Sequence, residues 1–254
     1  MTADEYVLSI IRKHEIPIQI DQATNAYIIS PVRSLISSWA GDYLCDVKIS
    51  GSRAKGTAID LSSDLDLFIS LSSSLNMPLG EIYNSLYNEV ADAGISARKQ
   101  NVSIRISFKG KKIDLVPAKR QGQYGSDHSL YKRKTNTWTK TNIDTHISKV
   151  LHSGRRNEII ALKIWRENHA LEFPSIFLEA FTIDALSKRR TYTLADNFLH
   201  VLECVRDNIE NAHVLDPANS NNVISDDLSR HEKSMLAQQA EKSLSEQNWM
   251  DIIW

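Results

Sequence analysis

The chain has 254 residues, of which 42% are hydrophobic and 24% are charged, and its formal net charge is −1. This composition is typical of a soluble globular protein and excludes a collagen-like or linker-like chain. No apolar run reaches the roughly 18 residues that a membrane helix needs, and the start of the sequence does not resemble a signal peptide. Two cysteines, Cys45 and Cys204, cannot build a disulfide framework or a four-thiolate zinc site. We therefore expect a cytoplasmic protein without a membrane partner.

The first part of the sequence mixes helix and strand patterns. Apolar residues at helical spacing predict helices, and alternation of apolar and polar residues predicts strands. The predicted helices cover 2–13, 24–40 and 79–93, and the predicted strands cover 43–50, 65–71, 102–108 and 113–117. Lys109 and Gly110 predict a hairpin turn between the last two strands.

The second part of the sequence is helical in pattern, apart from a polar, basic stretch over 119–142 that we interpret as a long loop. The predicted helices cover 143–152, 155–168, 175–187, 194–211 and 229–245. The fold class is therefore α+β, with a mixed sheet and flanking helices followed by helices alone. We expect a catalytic domain over 1–120 and a helical domain over 121–254, forming two lobes around a cleft.

Positive charge is concentrated in the segment 98–140, which holds twelve lysines and arginines against two aspartates. Tyr124, Tyr131 and Trp138 are interleaved with these cations. Aromatic and cationic side chains together suit base stacking and phosphate contacts, so the segment is a candidate RNA-binding surface. The alternative for the charges is a solvated face, and the alternative for the rings is a loop that folds its aromatic side chains onto the helical half.

The most informative stretch begins with Gly51 and Ser52, continues to Gly56 and Thr57, and reaches Asp64 and Asp66. It lies where the first predicted strand passes to the second. Glycines there permit tight turns, and a short helix between the strands would offer amides and the Ser52 hydroxyl to a phosphate. Each feature alone is common in proteins, so the inference depends on their combination.

Asp64 and Asp66 are separated by one residue of a strand, so both side chains point to one face, roughly 7 Å apart. Adjacent carboxylates repel each other unless a cation neutralises them, and their hard oxygens suit Mg²⁺. Asp114 lies on the fourth predicted strand. If that strand pairs beside the second, three carboxylates converge, which is a ligand set for two metal ions that drive displacement at phosphorus.

This set of residues resembles the polymerase-β-like nucleotidyltransferase superfamily. Further segments resemble the branch that contains bacterial cyclic-oligonucleotide synthases, oligoadenylate synthases and archaeal-type CCA-adding enzymes. They are the segments 114–118, 162–165, 175–179 and 215–223. The resemblance extends from about residue 20 to the end of the sequence.

The resemblance implies a role for each carboxylate. Asp64 and Asp66 would hold two Mg²⁺ ions, for which Mn²⁺ can substitute in such enzymes. Asp114 would complete the site of the ion that activates the attacking hydroxyl, and it could accept the hydroxyl proton. Ser52 and the backbone at Gly51 would bind the β and γ phosphates of a nucleoside triphosphate.

The resemblance also implies three further contacts to the triphosphate, from Lys163, Ser175 and His146. Each has a simpler alternative. A lysine on an apolar helix can extend its ammonium to solvent, a serine after a proline can cap a helix, and a histidine at a helix start can be a surface residue.

The function implied is transfer of a nucleoside monophosphate from an NTP to a ribose hydroxyl, with release of pyrophosphate. The late segments, with no additional RNA-binding domain in the sequence, favour a bacterial cyclic-oligonucleotide synthase that makes a second messenger for antiviral defence. The basic segment and His146 favour an alternative, an enzyme that adds CCA to tRNA or otherwise modifies an RNA 3′ end. A non-catalytic nucleotide-binding module on the same fold is a third hypothesis.

Overall fold

The computed structural model describes residues 1–62, 64–189 and 192–254. The helices are α1 (Ala3–His14), α2 (Gln22–Thr24), α3 (Ser30–Ala40), α4 (Gly51–Lys55), α5 (Leu79–Asp92), α6 (Ile143–Leu151), α7 (Arg156–Asn168), α8 (Ser175–Ala185), α9 (Leu194–Asn208), α10 (Arg230–Ser245) and α11 (Trp249–Ile252). The strands are β1 (Leu44–Ser50), β2 (Leu65–Leu71), β3 (Ser96–Lys99), β4 (Ile104–Phe108), β5 (Lys111–Arg120), β6 (His128–Lys132), β7 (Thr137–Thr141), β8 (Leu215–Asp216) and β9 (Asn219–Val223). The predicted α+β class is confirmed.

The described residues form two compact units. The first, which we call the helical unit, comprises Met1–Ile16, Gly56–Ser63 and Ser148–Trp254. The second, which we call the sheet unit, comprises Pro17–Lys55 and Asp64–Ile147. The predicted boundary at residue 120 differs from this division, because α1 packs with α7 and α9 while β6 and β7 extend the sheet.

The sheet unit is built on a mixed sheet with the strand order β1-β2-β5-β4-β3, and β6 joins β5 to β7. β2 and β5 run parallel, whereas β1 and β4 pair antiparallel with them. Alternation of side chains places Leu67, Ile69 and Leu115 on one face, where they are fully buried beneath α3 and α5. The opposite face of β2 and β5 carries the polar side chains of Asp66 and Asp114.

The basic segment contains a hairpin, so the prediction of a long loop over 119–142 was wrong. β6 and β7 pair antiparallel, and β6 also pairs with the end of β5. Leu130 and His128 point inward and are buried, which gives the hairpin its place in the sheet. The signal in the sequence was β7 itself, which holds three threonines and Trp138 in five residues, because these residue types favour strands.

The three aromatic side chains of the basic segment differ in environment. Tyr124 and Trp138 are 86% and 58% exposed. Tyr131 instead packs against Tyr83, with ring centroids 5.6 Å apart. The exposed rings of Tyr124 and Trp138 are therefore accessible for stacking. The ring of Tyr131 instead forms part of the packed structure.

The helical unit has a continuous apolar core that includes Trp165, Phe177 and Phe198. Helix α1 begins at a capping box formed by Thr2 and Glu5. The carboxylate of Asp4 accepts a hydrogen bond of 2.7 Å from the backbone of Ala195, at the start of α9. These contacts explain why a helix at the start of the chain belongs to the same unit as the late helices.

Apart from the helix predicted over 24–40, the predicted helices follow their expected bounds closely. The predicted helix over 24–40 is interrupted, because a π-helical turn over Asn25–Ile29 precedes α3 and Pro31 lies in the first turn of α3. Proline is tolerated there because the first amides of a helix have no partner within it.

Within the described parts of the chain, no helix has the length and apolar character needed to cross a membrane.

Candidate active site

The three predicted carboxylates lie on neighbouring strands of the sheet unit. Asp66 lies in β2 and Asp64 immediately before it, while Asp114 lies in β5. Asp66 and Asp114 are direct partners in the parallel register, so they project side by side from one face. The fourth predicted strand therefore pairs beside the second, which is the condition that the sequence analysis set for the carboxylates to lie together.

Gly51 and Ser52 begin the short helix α4, which follows β1 directly. Gly51 has a φ of +60°, in the region that favours glycine. A Cβ atom built on Gly51 would overlap the carboxylate of Asp66. The turn that carries Ser52 is thus held against the carboxylates by close contact of the Gly51 backbone with Asp66.

Replacing Gly51 by alanine is expected to damage the site more than the fold. The methyl group would displace Asp66. We expect a loss of about 100-fold in the nucleotidyl transfer that the resemblance implies, because small displacements at a reacting centre are that costly. Gly94→Ala is a matched control, since Gly94 has a φ of +73° with no atom within 4 Å of the new Cβ.

Both glycine variants should lose about 1–2 kcal/mol of unfolding free energy from backbone strain, measured by urea denaturation. Only Gly51→Ala should lose activity. Equal activity of the two variants would contradict the view that a methyl group on Gly51 displaces Asp66.

The charge of Asp66 is disfavoured in the folded protein. Burial, followed by the negative charge of Asp114, raises the pKa of Asp66 to about 7, and the charge of Lys55 opposes this rise. Burial also raises the pKa of Asp64, against the opposing charge of Arg105. Clustered carboxylates with raised pKa values are stabilised as anions by a cation.

Arg105 is a residue of the site that the sequence analysis missed. It lies in β4 directly opposite Asp114. Its Nε and Nη2 atoms donate hydrogen bonds of 2.9 Å to the two carboxylate oxygens of Asp114, and Nη2 also pairs with Asp64. The signal was present, because a hairpin turn at Lys109 and Gly110 places residue 105 opposite residue 114.

The donor set fits a divalent cation in its chemistry. Asp64, Asp66 and Asp114 supply hard oxygen atoms, which Mg²⁺ prefers. Among the residues that the structure describes, no three acidic, histidine or cysteine side chains are arranged to hold a metal ion. Arg105 instead engages both Asp64 and Asp114. A cation would therefore share the carboxylates with this guanidinium or displace it.

Lys163 lies in α7 of the helical unit and is 2% exposed. Its Nζ atom is 2.7 Å from Oε1 of Glu179 and donates a 2.8 Å hydrogen bond to Oγ1 of Thr57. The resemblance implied that this ammonium reaches a triphosphate. The structure places it in a buried ion pair, where it also holds the threonine that follows Gly56 in the motif.

Ser175 and His146 belong to different units. Ser175 is the first residue of α8 in the helical unit, and its hydroxyl accepts a 3.1 Å hydrogen bond from Nη1 of Arg166. His146 lies within α6, in the sheet unit, and is half-buried. The sheet unit thus holds Gly51, Ser52 and the three carboxylates together, while Lys163 and Ser175 lie in the helical unit.

Asp216 has a structural role in the segment 215–223. Its carboxylate accepts hydrogen bonds from the backbone of Ala218 at 2.8 Å and from the side chain of Asn222 at 3.2 Å. These bonds shape the turn between β8 and β9, two short strands that the sequence analysis did not predict.

No protein-family model matches the chain, and no curated protein sequence matches it. Solved structures do match. CdnC of E. coli MS115-1, solved with ATP, is 15% identical with a TM-score of 0.73, over 94% of this chain and 89% of that one. The CD-NTase CdnG of Bradyrhizobium diazoefficiens, in complex with GTP, is 13% identical with a TM-score of 0.74, over 96% and 91%. The cyclic dinucleotide synthase CdnE of Elizabethkingia meningoseptica, with GTP and Apcpp, is 13% identical with a TM-score of 0.73, over 97% and 100%.

At these identities the matches show a shared fold, which extends over nearly the whole length of each protein. The chain therefore has the fold that CdnC, CdnG and CdnE share. The fold that the resemblance implied is the part of the prediction that these matches confirm.

Proposed function

We propose that the protein is a nucleotidyltransferase that depends on divalent cations and makes a cyclic oligonucleotide from NTPs. The observation that carries the proposal is the adjacency of Asp66 and Asp114 on one sheet face beside the Gly51 turn, with Asp64 paired to the same guanidinium as Asp114. The fold supports it, since the solved relatives include a cyclic dinucleotide synthase. On this proposal the product is a second messenger of cytoplasmic antiviral defence, as the resemblance implies.

The proposed reaction is a displacement at the α-phosphorus of an NTP. A ribose hydroxyl oxygen forms the new bond to phosphorus, the bond to the β-phosphate oxygen breaks, and pyrophosphate leaves with that oxygen. The hydroxyl proton passes to Asp114. Two Mg²⁺ ions bound by Asp64, Asp66 and Asp114 would neutralise phosphate charge and lower the pKa of the hydroxyl.

The other residues position the reactants. Ser52 and the Gly51 backbone would bind the β and γ phosphates of the donor. Gly51 permits this because it lets the turn lie against Asp66. Such enzymes accelerate phosphoryl-type transfer mainly by positioning and electrostatics, so little covalent work is required of the protein.

A product assay tests the proposal. The purified protein is incubated with each labelled NTP and Mg²⁺ or Mn²⁺, with and without tRNA that lacks its 3′ end. Asp64→Ala/Asp66→Ala is the inactive control. Small phosphatase-resistant products formed without tRNA, and absent from the control, are expected.

Two other results would overturn the proposed product. Label that enters only the RNA would establish an RNA-end nucleotidyltransferase, the function favoured by the cationic segment with exposed Tyr124 and Trp138. Absence of any transfer, together with absence of Mn²⁺ binding, would instead indicate a non-catalytic module.

The affinity for Mn²⁺ is expected to rise with pH through about 7. A carboxylate must lose its proton to bind a cation, and the pKa of Asp66 is raised to about 7. Lowering the pH protonates Asp66 and weakens binding, by about tenfold between about pH 8 and pH 6. Titration with Mn²⁺ followed by electron paramagnetic resonance measures this. An affinity that is flat over this range would contradict the role of Asp66.

A further inference from the structure

Arg105 connects two of the proposed metal ligands. Its guanidinium contacts both oxygens of Asp114 across the β4–β5 pair and also contacts Asp64 before β2. The Arg105 side chain is 28% exposed and that of Asp114 is 11% exposed. A bidentate hydrogen-bonded ion pair between arginine and a carboxylate at a partly buried position is a strong and directional interaction.

These contacts use the atoms that a divalent cation needs. Asp64 has an oxygen paired with Arg105, and both Asp114 oxygens accept from the same guanidinium. The cross-strand register fixes Arg105 opposite Asp114, so that contact is built into the hairpin. The contact with Asp64 crosses from β4 to β2 past β5 and has no such backbone support.

We propose that Arg105 is a positioning residue that competes with the divalent cation for Asp64 while it orients Asp114 through the hairpin. This inference rests on the proposed function. The guanidinium supplies the positive charge that pairs with Asp64 in the structure. Cation binding releases the guanidinium from Asp64, while the cross-strand fork keeps the Asp114 carboxylate in its orientation.

The chain offers a matched control. Arg98 lies in β3 directly opposite Arg105, so its loss removes the same charge from the neighbouring strand. Arg98 is exposed and forms no ion pair with any acidic residue that the structure describes. Comparing Arg105→Gln with Arg98→Gln therefore separates the carboxylate contact from the general effect of positive charge.

The experiment measures the affinity for Mn²⁺ alone by electron paramagnetic resonance, without nucleotide. Arg105→Gln should bind Mn²⁺ about tenfold more tightly than the parent protein, because the competing charged hydrogen bond is lost. Arg98→Gln should change the affinity by less than about twofold. Arg105→Lys keeps the charge but loses the fork, and it should lie between the parent and Arg105→Gln.

Unchanged or weaker Mn²⁺ binding by both Arg105 variants, with folding verified by circular dichroism, would overturn the inference and leave the proposed function intact. The variant Asp64→Asn/Asp66→Asn marks the absence of a site. If the parent protein binds Mn²⁺ no better than this variant, with or without NTP, the proposed function and the inference both fail.

Discussion

Asp66→Asn is expected to abolish nucleotidyl transfer while it stabilises the metal-free protein at about pH 8. Asp66 is ionised at that pH, although burial and Asp114 raise its pKa from 3.8 to about 7. Asparagine has the shape of the protonated acid and carries no charge. We expect the free energy of unfolding to rise by about 2–4 kcal/mol, since each pKa unit corresponds to about 1.4 kcal/mol.

The sign of the pH dependence follows from the raised pKa of Asp66. Between about pH 4 and pH 7 the folded protein holds a proton on Asp66 that the unfolded chain releases, so stability falls as the pH rises through this window. Below about pH 4 both states are protonated. The advantage of Asp66→Asn should therefore be greatest above about pH 7 and vanish near pH 4.

The loss of activity has a separate cause. Asp66 would hold both metal ions, and losing several kcal/mol of transition-state stabilisation should cost at least about 10³-fold in rate. Urea denaturation in EDTA and the product assay measure the two effects. Asp92→Asn, at the exposed end of α5, is the control and should change neither. Destabilisation by Asp66→Asn at about pH 8 would refute the electrostatic account of the site.

Lys163→Met is expected to lower the free energy of unfolding by about 3–5 kcal/mol, because it leaves Glu179 buried without its cation. Glu179 is 3% exposed, and its Oε1 lies 2.7 Å from the Lys163 Nζ atom. Urea denaturation at neutral pH measures the loss. Lys242→Met, an exposed lysine of α10, is the control and should change stability by less than about 0.5 kcal/mol.

The double variant Lys163→Met/Glu179→Leu should recover part of that stability, because apolar side chains of similar size can replace a buried ion pair but cannot replace the bonds that both residues make to the buried Thr57 hydroxyl. A double variant less stable than Lys163→Met would contradict this explanation. NTP affinity of the folded double variant then tests the role that the resemblance implies. A large loss of affinity would mean that the Lys163 ammonium also serves a triphosphate.

The sequence alone determined most of the elements and the central part of the site. Alternation along β2 places Asp64 and Asp66 on one face, and the turn at Lys109 and Gly110 brings β5 back along the sheet. These are local properties of the chain, because a strand alternates with period two and a hairpin turn fixes the pairing of its flanks. The capping boxes of α1 and α10 are equally local.

Only the tertiary structure decided which side chains meet across long separations. Asp64 contacts Arg105 as a second carboxylate, and Lys163 pairs with Glu179 and Thr57. The hairpin of β6 and β7 joins the sheet, and α1 packs with the late helices. A pattern in the sequence records whether a residue faces the interior or the surface. It does not record which distant residue faces it, because burial is satisfied by any partner of suitable size and charge, and the choice is made when the elements pack.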